Sequence, residues 1–108
     1  MADETIPGDV LIYTLNYANK GDDDALAVKL VDPIPSDTEY VAGSAFGKGA
    51  AITFSIDGKE YEKADALGYM VNGEKVIASP ELYTHIQWLV KKISSDDSGV
   101  AGFRVRVK

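Results

Sequence analysis

The amino-acid sequence predicts an all-β protein, an immunoglobulin-like antiparallel β-sandwich of about seven strands. Three observations predict this fold. Apolar and polar residues alternate along several short segments, turn residues bound those segments, and no segment repeats its apolar residues with the period of a helix. The chain has 108 residues, which is long enough for one hydrophobic core. We therefore expect one sandwich domain over residues 1–108.

The first predicted strand covers residues 10–19. Leu11, Tyr13, Leu15 and Tyr17 lie on one side of it and are predicted to face the core. A run of asparagine, glycine and aspartate then turns the chain.

The next segments continue the alternation. The second predicted strand turns Val28 and Leu30 inward and ends at Asp-Pro-Ile-Pro, because proline cannot donate to a strand ladder. A third, short strand covers residues 38–44. The glycine-rich residues 44–51 are predicted to form a loop that crosses from one sheet to the other.

Two hairpins are predicted in the middle of the chain. The dipeptides Asp57-Gly58 and Asn72-Gly73 each lie between alternating segments, and both suit a type I′ turn. Residues 64–69 lie between the hairpins and are predicted to be irregular, because one helical turn is not stable alone in water.

The C-terminal segments predict two further strands. Ile86 and Trp88 share one face of the first, and the second alternates apolar residues with Arg104, Arg106 and Lys108. If the last strand lies at a sheet edge, these three charges protect the edge from pairing with another chain. We therefore expect the isolated domain to be a monomer.

Composition excludes several classes of function. Seventeen acidic and eleven basic residues give a net charge of −6, which repels phosphate backbones and anionic lipids, so neither nucleic acid nor a membrane surface is an expected partner. There is no cysteine, which excludes thiol catalysis, disulfides and thiolate metal sites. The N-terminus lacks a basic start followed by an apolar run, so any export signal is expected outside this segment.

The sequence does not indicate an enzyme. His85 is the only histidine, and no Gly-x-Ser-x-Gly motif is present, since Ser44 has the wrong spacing. Gly47 and Gly49 begin a dinucleotide-like pattern whose third glycine is missing. We expect no catalytic residue and no organic cofactor.

The sequence leads to hypotheses for two binding sites, the first of which is a calcium site. Asp22, Asp23 and Asp24 form an acidic run, and a second run follows at residues 96–97. Clustered carboxylates bind Ca²⁺ in extracellular modules, although the alternative for such a run is a solvated acidic loop.

The second hypothesis concerns sugar binding. Tyr61, Tyr69 and Tyr83 are candidate exposed aromatic residues on which a carbohydrate could stack. A carbohydrate- or calcium-binding module is thus the alternative function.

A series of short motifs runs through nearly the whole chain, from Pro7 to Val107. They are Pro-Gly-Asp at 7–9, Asn-x-Gly at 19–21, Asp-Pro-x-Pro at 32–35, Gly-Ser at 43–44 and Phe-x-Val at 103–105. In this order they resemble the conserved repeat domain of bacterial and archaeal surface proteins that is catalogued as the eleventh domain of unknown function. Members resemble immunoglobulin-like sandwiches, occur as tandem copies in secreted or wall-anchored proteins, and have no established catalytic residues.

The resemblance implies a structural spacer or adhesion repeat, outside the cell or on its surface, with neighbouring repeats and matrix ligands as expected partners. The positions that match the family are Tyr13, Asn19, Gly21, Asp32, Pro33, Pro35, Gly43, Ser44, Trp88 and Phe103. Each also has a structural interpretation. Asn19 is predicted to bond its own backbone around a positive φ at Gly21, Asp32 to accept backbone amides, and the two large aromatic residues to fill the core.

Two further expectations concern the chain ends and a crosslink. Met1-Ala2 and a terminus directly after a patterned strand predict a segment cut from a longer surface protein. Surface adhesins sometimes join a buried lysine to an asparagine by an isopeptide bond. Lys29 is the candidate lysine, although the alternation turns it outward.

Overall fold

The computed structural model describes residues 6–108, which contain nine strands and one short 3-10 helix. The strands are β1 Val10–Ala18, β2 Ala25–Pro33, β3 Thr38–Tyr40, β4 Phe46–Gly47, β5 Ala50–Ser55, β6 Gly68–Val71, β7 Glu74–Ile77, β8 His85–Ile93 and β9 Ser98–Val107, and the 3-10 helix is Pro80–Leu82. No helix in this part of the chain is long and apolar enough to cross a membrane.

The strands form two antiparallel sheets and a separate hairpin. The first sheet has the order β1-β9-β3, with β4 also paired to β9, and the second has the order β2-β8-β5. Strands β6 and β7 pair only with each other. The predicted all-β sandwich is confirmed, with nine strands instead of about seven.

The core lies between the two sheets. Trp88 and Ile86 from β8 and Phe103 and Val105 from β9 are almost completely inaccessible to solvent. Burial of each such side chain contributes roughly 1.5–3 kcal/mol. The predicted inward orientation of Trp88 and Phe103 is confirmed, and the indole N–H of Trp88 donates to the carbonyl oxygen of Phe46 at 3.0 Å.

The first strand follows its predicted alternation. Tyr13 faces inward and its ring stacks on the ring of Phe103, its partner in the β1–β9 register, with the centroids 5.5 Å apart. Ile12 points to the other side and is 59% exposed. Pairing of an alternating strand with a second alternating strand thus separates the core face from the solvent face.

The two predicted hairpin turns differ. Asn72 and Gly73 both have positive φ, 50° and 85°, as a type I′ turn requires, so this prediction is confirmed. At the other dipeptide only Gly58 has positive φ, so the type I′ prediction there is wrong. The segment after that turn forms a single bridge, between Phe54 and Glu62, instead of a strand.

Three other local predictions are corrected or refined. Gly21 lies outside the positive-φ region. No group in the described residues donates a hydrogen bond to the side-chain carboxylate of Asp32, and burial raises the pKa of that group. The glycine-rich stretch does cross between the sheets as predicted, but it also contributes β4 to the first sheet and the start of β5 to the second.

The last strand is not an edge strand. β9 pairs with β1 on one side and with β3 and β4 on the other, so it lies in the middle of the first sheet. Arg104 and Arg106 are exposed on its outer face and do not protect a sheet edge. Protection of a sheet edge by these charges therefore no longer supports the prediction of a monomer.

Candidate functional site

One end of the sandwich is organised by Asn19. Its side-chain amide donates to the carbonyl oxygens of Asp23 and Ile93, both at 2.8 Å, and its Oδ1 accepts the N–H of Gly21 at 3.0 Å. The predicted bond of Asn19 to its own turn is confirmed. The same side chain also joins two segments that are 74 residues apart in sequence, the β1–β2 loop and the end of β8.

The acidic run lies in the β1–β2 loop. Asp24 accepts the N–H of Ser95 at 3.0 Å and lies 3.8 Å from the ammonium of Lys92 in an exposed ion pair. Among residues 6–108, no three His, Cys, Asp or Glu side chains are grouped so that they could hold a metal ion. Calcium binding by Asp22, Asp23 and Asp24 therefore stays a prediction, without a cluster of ligands to support it.

The second acidic run lies at the same end. The N–H of Asp96 donates to the carbonyl oxygen of Asn19, and the N–H of Asn19 donates to the carbonyl oxygen of Asp97, both at 2.8 Å. The folded chain thus brings both acidic runs beside one another. The sequence contained no signal for this, because the runs are brought together by the pairing of β1 with β9.

The three candidate tyrosines do not form one platform. Tyr69 is 41% exposed on β6, Tyr61 is half-buried near the isolated bridge, and Tyr83 is only 7% exposed. The expectation of an exposed ring at Tyr83 is wrong, because its ring packs against Tyr40 and Phe54. Carbohydrate binding at Tyr61 and Tyr69 stays a prediction.

Tyr40, Phe54 and Tyr83 form a cluster of three rings. The centroid distances are 5.1 Å for Tyr40–Phe54, 5.6 Å for Tyr40–Tyr83 and 4.8 Å for Phe54–Tyr83. They come from β3, β5 and the residue after the 3-10 helix. Their sequence separation explains why sequence reasoning missed the cluster.

The cluster lines a cavity of about 200 Å³, which we call the aromatic pocket. Its wall is completed by small or apolar residues, namely Ala42, Gly43, Ala45, Ile52, Ala64 and Pro80. Pockets for drug-sized ligands are typically about 300–1,000 Å³. The aromatic pocket is therefore suited to one apolar side chain and not to a large ligand.

The two phenol groups of the pocket differ in their contacts. The hydroxyl of Tyr40 accepts the N–H of Ala45 at 2.9 Å, which fixes the β3–β4 loop against the cluster. The pKa of Tyr83 is raised by burial and then by the neighbouring Tyr40, so its hydroxyl stays neutral. The pocket offers ring faces and aliphatic carbon, with little polar chemistry.

Near His85, the side chains of Ser55 and Asp57 form hydrogen bonds that stabilise a turn. The hydroxyl of Ser55, which is fully buried, donates to Asp57 at 2.9 Å and accepts the N–H of Gly58 at 2.8 Å. His85 Nδ1 lies 2.8 Å from the hydroxyl of Thr84 and is thus satisfied locally. The serine hydroxyl and the imidazole do not form a nucleophile–base pair.

The surroundings of Lys29 and Ser44 do not suit a reactive role. Lys29 is exposed on β2, so it lacks the burial that isopeptide formation needs. The hydroxyl of Ser44 accepts the N–H of Arg104 at 3.0 Å and also lies within bonding distance of the carbonyl oxygen of the same residue. Ser44 therefore joins the β3–β4 loop to β9.

These features define an all-β sandwich domain with one small aromatic pocket and a hairpin outside both sheets. No family model, curated protein or solved structure matches the chain. Membership of the surface-protein repeat family that the sequence resembles therefore stays a prediction, carried by the order of its motifs.

Proposed function

We propose that this chain is a non-catalytic adhesion module of a secreted or cell-surface bacterial or archaeal protein. The setting is supported by the motif order, which resembles that of surface-protein repeats. The lack of catalysis is supported by the use of Ser55, Asp57 and Ser44 in hydrogen bonds to nearby backbone groups. Reactive side chains of enzymes are instead positioned towards a place where substrate can bind.

Adhesion is favoured over spacing by the position of the start of β1 beside the end of β9, and this observation carries the proposal. The N–H of Gly8 donates to the carbonyl oxygen of Val107, and the N–H of Val107 donates to that of Asp9, both at 2.8 Å. The antiparallel pairing then continues from Val10 and Arg106 to the far end of β1. The chain thus enters and leaves the sandwich at the same end.

This topology affects how the domain would sit in a longer chain. A spacer in a linear stalk separates its neighbours best when its ends lie at opposite poles. A domain whose ends lie together instead projects sideways from the chain that carries it. Its far end, with the loops at residues 19–24 and 94–97, then points away from the attachment and is available for contact.

The same topology predicts weak resistance to force, and this provides the test. When force acts on residues 7 and 108, the hydrogen bonds between β1 and β9 are loaded one after another. When it acts on residues 20 and 108, β1 and β9 are pulled in opposite directions along their length, and the bonds are loaded together. The sequence has no cysteine, so pairs of introduced cysteines give unique handles.

The experiment is single-molecule force spectroscopy on two variants, Pro7→Cys with Lys108→Cys and Lys20→Cys with Lys108→Cys. We expect the first pair to unfold at clearly lower force than the second, as befits a side-mounted module that carries no tension. Equal thermal unfolding of the two variants is the control for folding. If the first pair resists force as well as the second, the spacer role is favoured and the adhesion proposal fails.

A further inference from the structure

A cleft opens between the two sheets at the far end of the sandwich, and we call it the polar cleft. Its volume is about 250 Å³, and its walls come from β1, the start of β9, the end of β8 and the turn between β4 and β5. An ideal Cβ built on Gly99 would lie 2.9 Å from Cε1 of Tyr17 and closer still to its hydroxyl. Tyr17 therefore leans across the start of β9, in the space that a side chain at position 99 would need, and forms one wall of the cleft.

The rim of the polar cleft carries both donors and acceptors of hydrogen bonds. Lys48 and Lys92 supply ammonium groups, which only donate. The carboxylate of Asp97 only accepts, and the hydroxyls of Tyr17 and Ser98 do both. Within residues 6–108 the hydroxyl of Tyr17 and the ammonium of Lys48 make no hydrogen bond, so both are free to contact a ligand in the cleft.

The floor of the polar cleft is apolar. Val90 and Ile93 line it from β8 and are buried, and the ring of Tyr17 adds further carbon. A cavity of about 150 Å³ is enough for one benzene molecule. The polar cleft, at about 250 Å³, thus has room for one six-membered ring together with its substituents.

The charges around the polar cleft cancel. Lys92 lies 3.8 Å from Asp24 in an exposed ion pair, and Lys48 and Asp97 have opposite signs. A site for an anion presents mainly donors and a site for a cation mainly acceptors, whereas this rim presents both without a net charge. The ligand that fits such a rim is neutral and carries several hydroxyl groups.

We propose that the polar cleft binds one neutral hexopyranose, the terminal residue of a glycan. The hydroxyl groups of such a sugar both donate and accept, which matches the rim, and the C–H face of its ring is apolar, which matches the floor. The inference rests on the proposed adhesion function, for which it names the ligand at the far end of the domain. The site involves neither Tyr61 nor Tyr69.

The test is an NMR titration of the isotope-labelled chain with the methyl α- and β-glycosides of glucose, galactose, mannose and N-acetylglucosamine. The methyl group mimics the link to the rest of a glycan. We expect at least one glycoside to shift the amide signals of Lys48, Gly49, Ser98 and Gly99 with a Kd of roughly 1 mM, the value expected for a ligand of about 13–16 non-hydrogen atoms. Because the ligand is uncharged, this Kd should change less than about twofold between about 20 and 500 mM NaCl.

Two variants each remove one polar group from the rim. Tyr17→Phe keeps the ring over Gly99 but lacks the hydroxyl, and it is expected to raise the Kd about 5-fold. Lys48→Met keeps an unbranched side chain without the ammonium, and it is expected to raise the Kd about 10-fold. Lys29→Met is the matched control, because it makes the same change at an exposed lysine of β2 that does not line the cleft. It should leave the Kd unchanged.

Three results would overturn the inference. The first is that no glycoside of the panel shifts the amide signals of the polar cleft. The second is that Lys29→Met weakens binding as much as Lys48→Met does. The third is that sodium sulfate shifts the same signals and displaces the sugar, which would assign the cleft to anions.

Failure of this inference can be told apart from failure of the adhesion proposal. The force measurement tests how the domain is attached and needs no ligand. If it supports a side-mounted module while no glycoside binds, the sugar site alone is rejected. If a glycoside binds while the first cysteine pair resists force, the sugar site stands and the adhesion proposal fails.

Discussion

Gly47 and Trp88 are so close that the indole occupies the space of a side chain at position 47. An ideal Cβ built on Gly47 would lie 2.8 Å from Cδ1 of Trp88 and 3.3 Å from its Nε1. The preceding carbonyl, that of Phe46, accepts the indole N–H. The buried tryptophan of the second sheet thus fixes β4 of the first sheet by a close approach and a hydrogen bond.

Gly47→Ala is expected to lower the free energy of unfolding by about 1–3 kcal/mol, because the added methyl group forces the indole or β4 to move. The φ of Gly47 is outside the left-handed region, so the cost comes from the contact and not from the backbone. Urea unfolding measures it. Gly21→Ala is the control, since its nearest neighbour, Oδ1 of Asn19, would lie at an ordinary 3.4 Å. Equal losses in the two variants would contradict the role of the close approach.

Asn19→Ala is expected to lower the free energy of unfolding by about 1–3 kcal/mol, since the carbonyl oxygens of Asp23 and Ile93 lose their donor. Asn19→Asp keeps the acceptor for Gly21 but has no amide donor. At neutral pH, Asn19→Asp should therefore recover none of the unfolding free energy that Asn19→Ala loses. If Asn19→Asp is as stable as the unmodified chain in urea unfolding, the acceptor and not the donor holds the β1–β2 loop to the end of β8.

Tyr40→Phe is expected to lower the free energy of unfolding by about 1 kcal/mol, because the N–H of Ala45 loses its acceptor. Tyr83→Phe removes a hydroxyl that has no hydrogen bond within the described residues, so its cost should stay below about 0.5 kcal/mol. Thermal unfolding of the two variants compares them directly. A larger loss for Tyr83→Phe would show that the hydroxyl of Tyr83 has a partner of its own.

The acid stability of the fold should depend on Asp57. Backbone N–H groups of Glu60 and Lys59, and the hydroxyl of Ser55, lower the pKa of Asp57 from 3.8 to about 2. A carboxyl group with a lowered pKa stabilises the folded state above its unfolded pKa, and this stability is lost as the pH falls through the folded value. The urea midpoint should therefore decrease from about pH 4 towards pH 2. The urea midpoint of Asp57→Asn should decrease less steeply over this pH range. A slope equal to that of the unmodified chain would contradict the prediction.

Asp32 should have the opposite effect on the pH dependence of stability. Burial raises its pKa above 3.8, so the folded state binds the proton more tightly than the unfolded state does. Its contribution to stability therefore falls as the pH rises through this window. Asp32→Asn should raise the urea midpoint at pH 7 and should have little effect near pH 3, where the carboxyl group is neutral. A destabilised variant at pH 7 would show that the charged carboxylate is stabilised by its surroundings.

The fold class was predictable because alternation is a local property. The odd positions of β1 and the inward faces of β8 and β9 are determined by which residues are apolar, and a strand turns every second residue the same way. The turn at Asn72-Gly73 was predictable for a similar reason, since few residues other than Asn and Gly accept positive φ at two successive positions.

The wrong predictions have different causes, one within a turn and one in the order of the strands. At Asp57-Gly58 the dipeptide suited a hairpin, but the hydroxyl of Ser55 organises a different turn. The charges on the last strand were expected to protect a sheet edge if that strand lay at one, but β9 lies in the middle of its sheet. Its two neighbours are instead set by the pairing of β1 and β3 with the same strand.

The sequence by itself determined most of the longer strands, the core residues Trp88 and Phe103 and the absence of thiol chemistry. Only the tertiary structure decided that Tyr40, Phe54 and Tyr83 meet in a pocket, that the hairpin of β6 and β7 stays outside both sheets, and that the start of β1 lies beside the end of β9. The physical reason is that alternation specifies which side of a strand is buried but not which strand lies beside it. Strand order depends on the summed packing and hydrogen bonding of the whole chain.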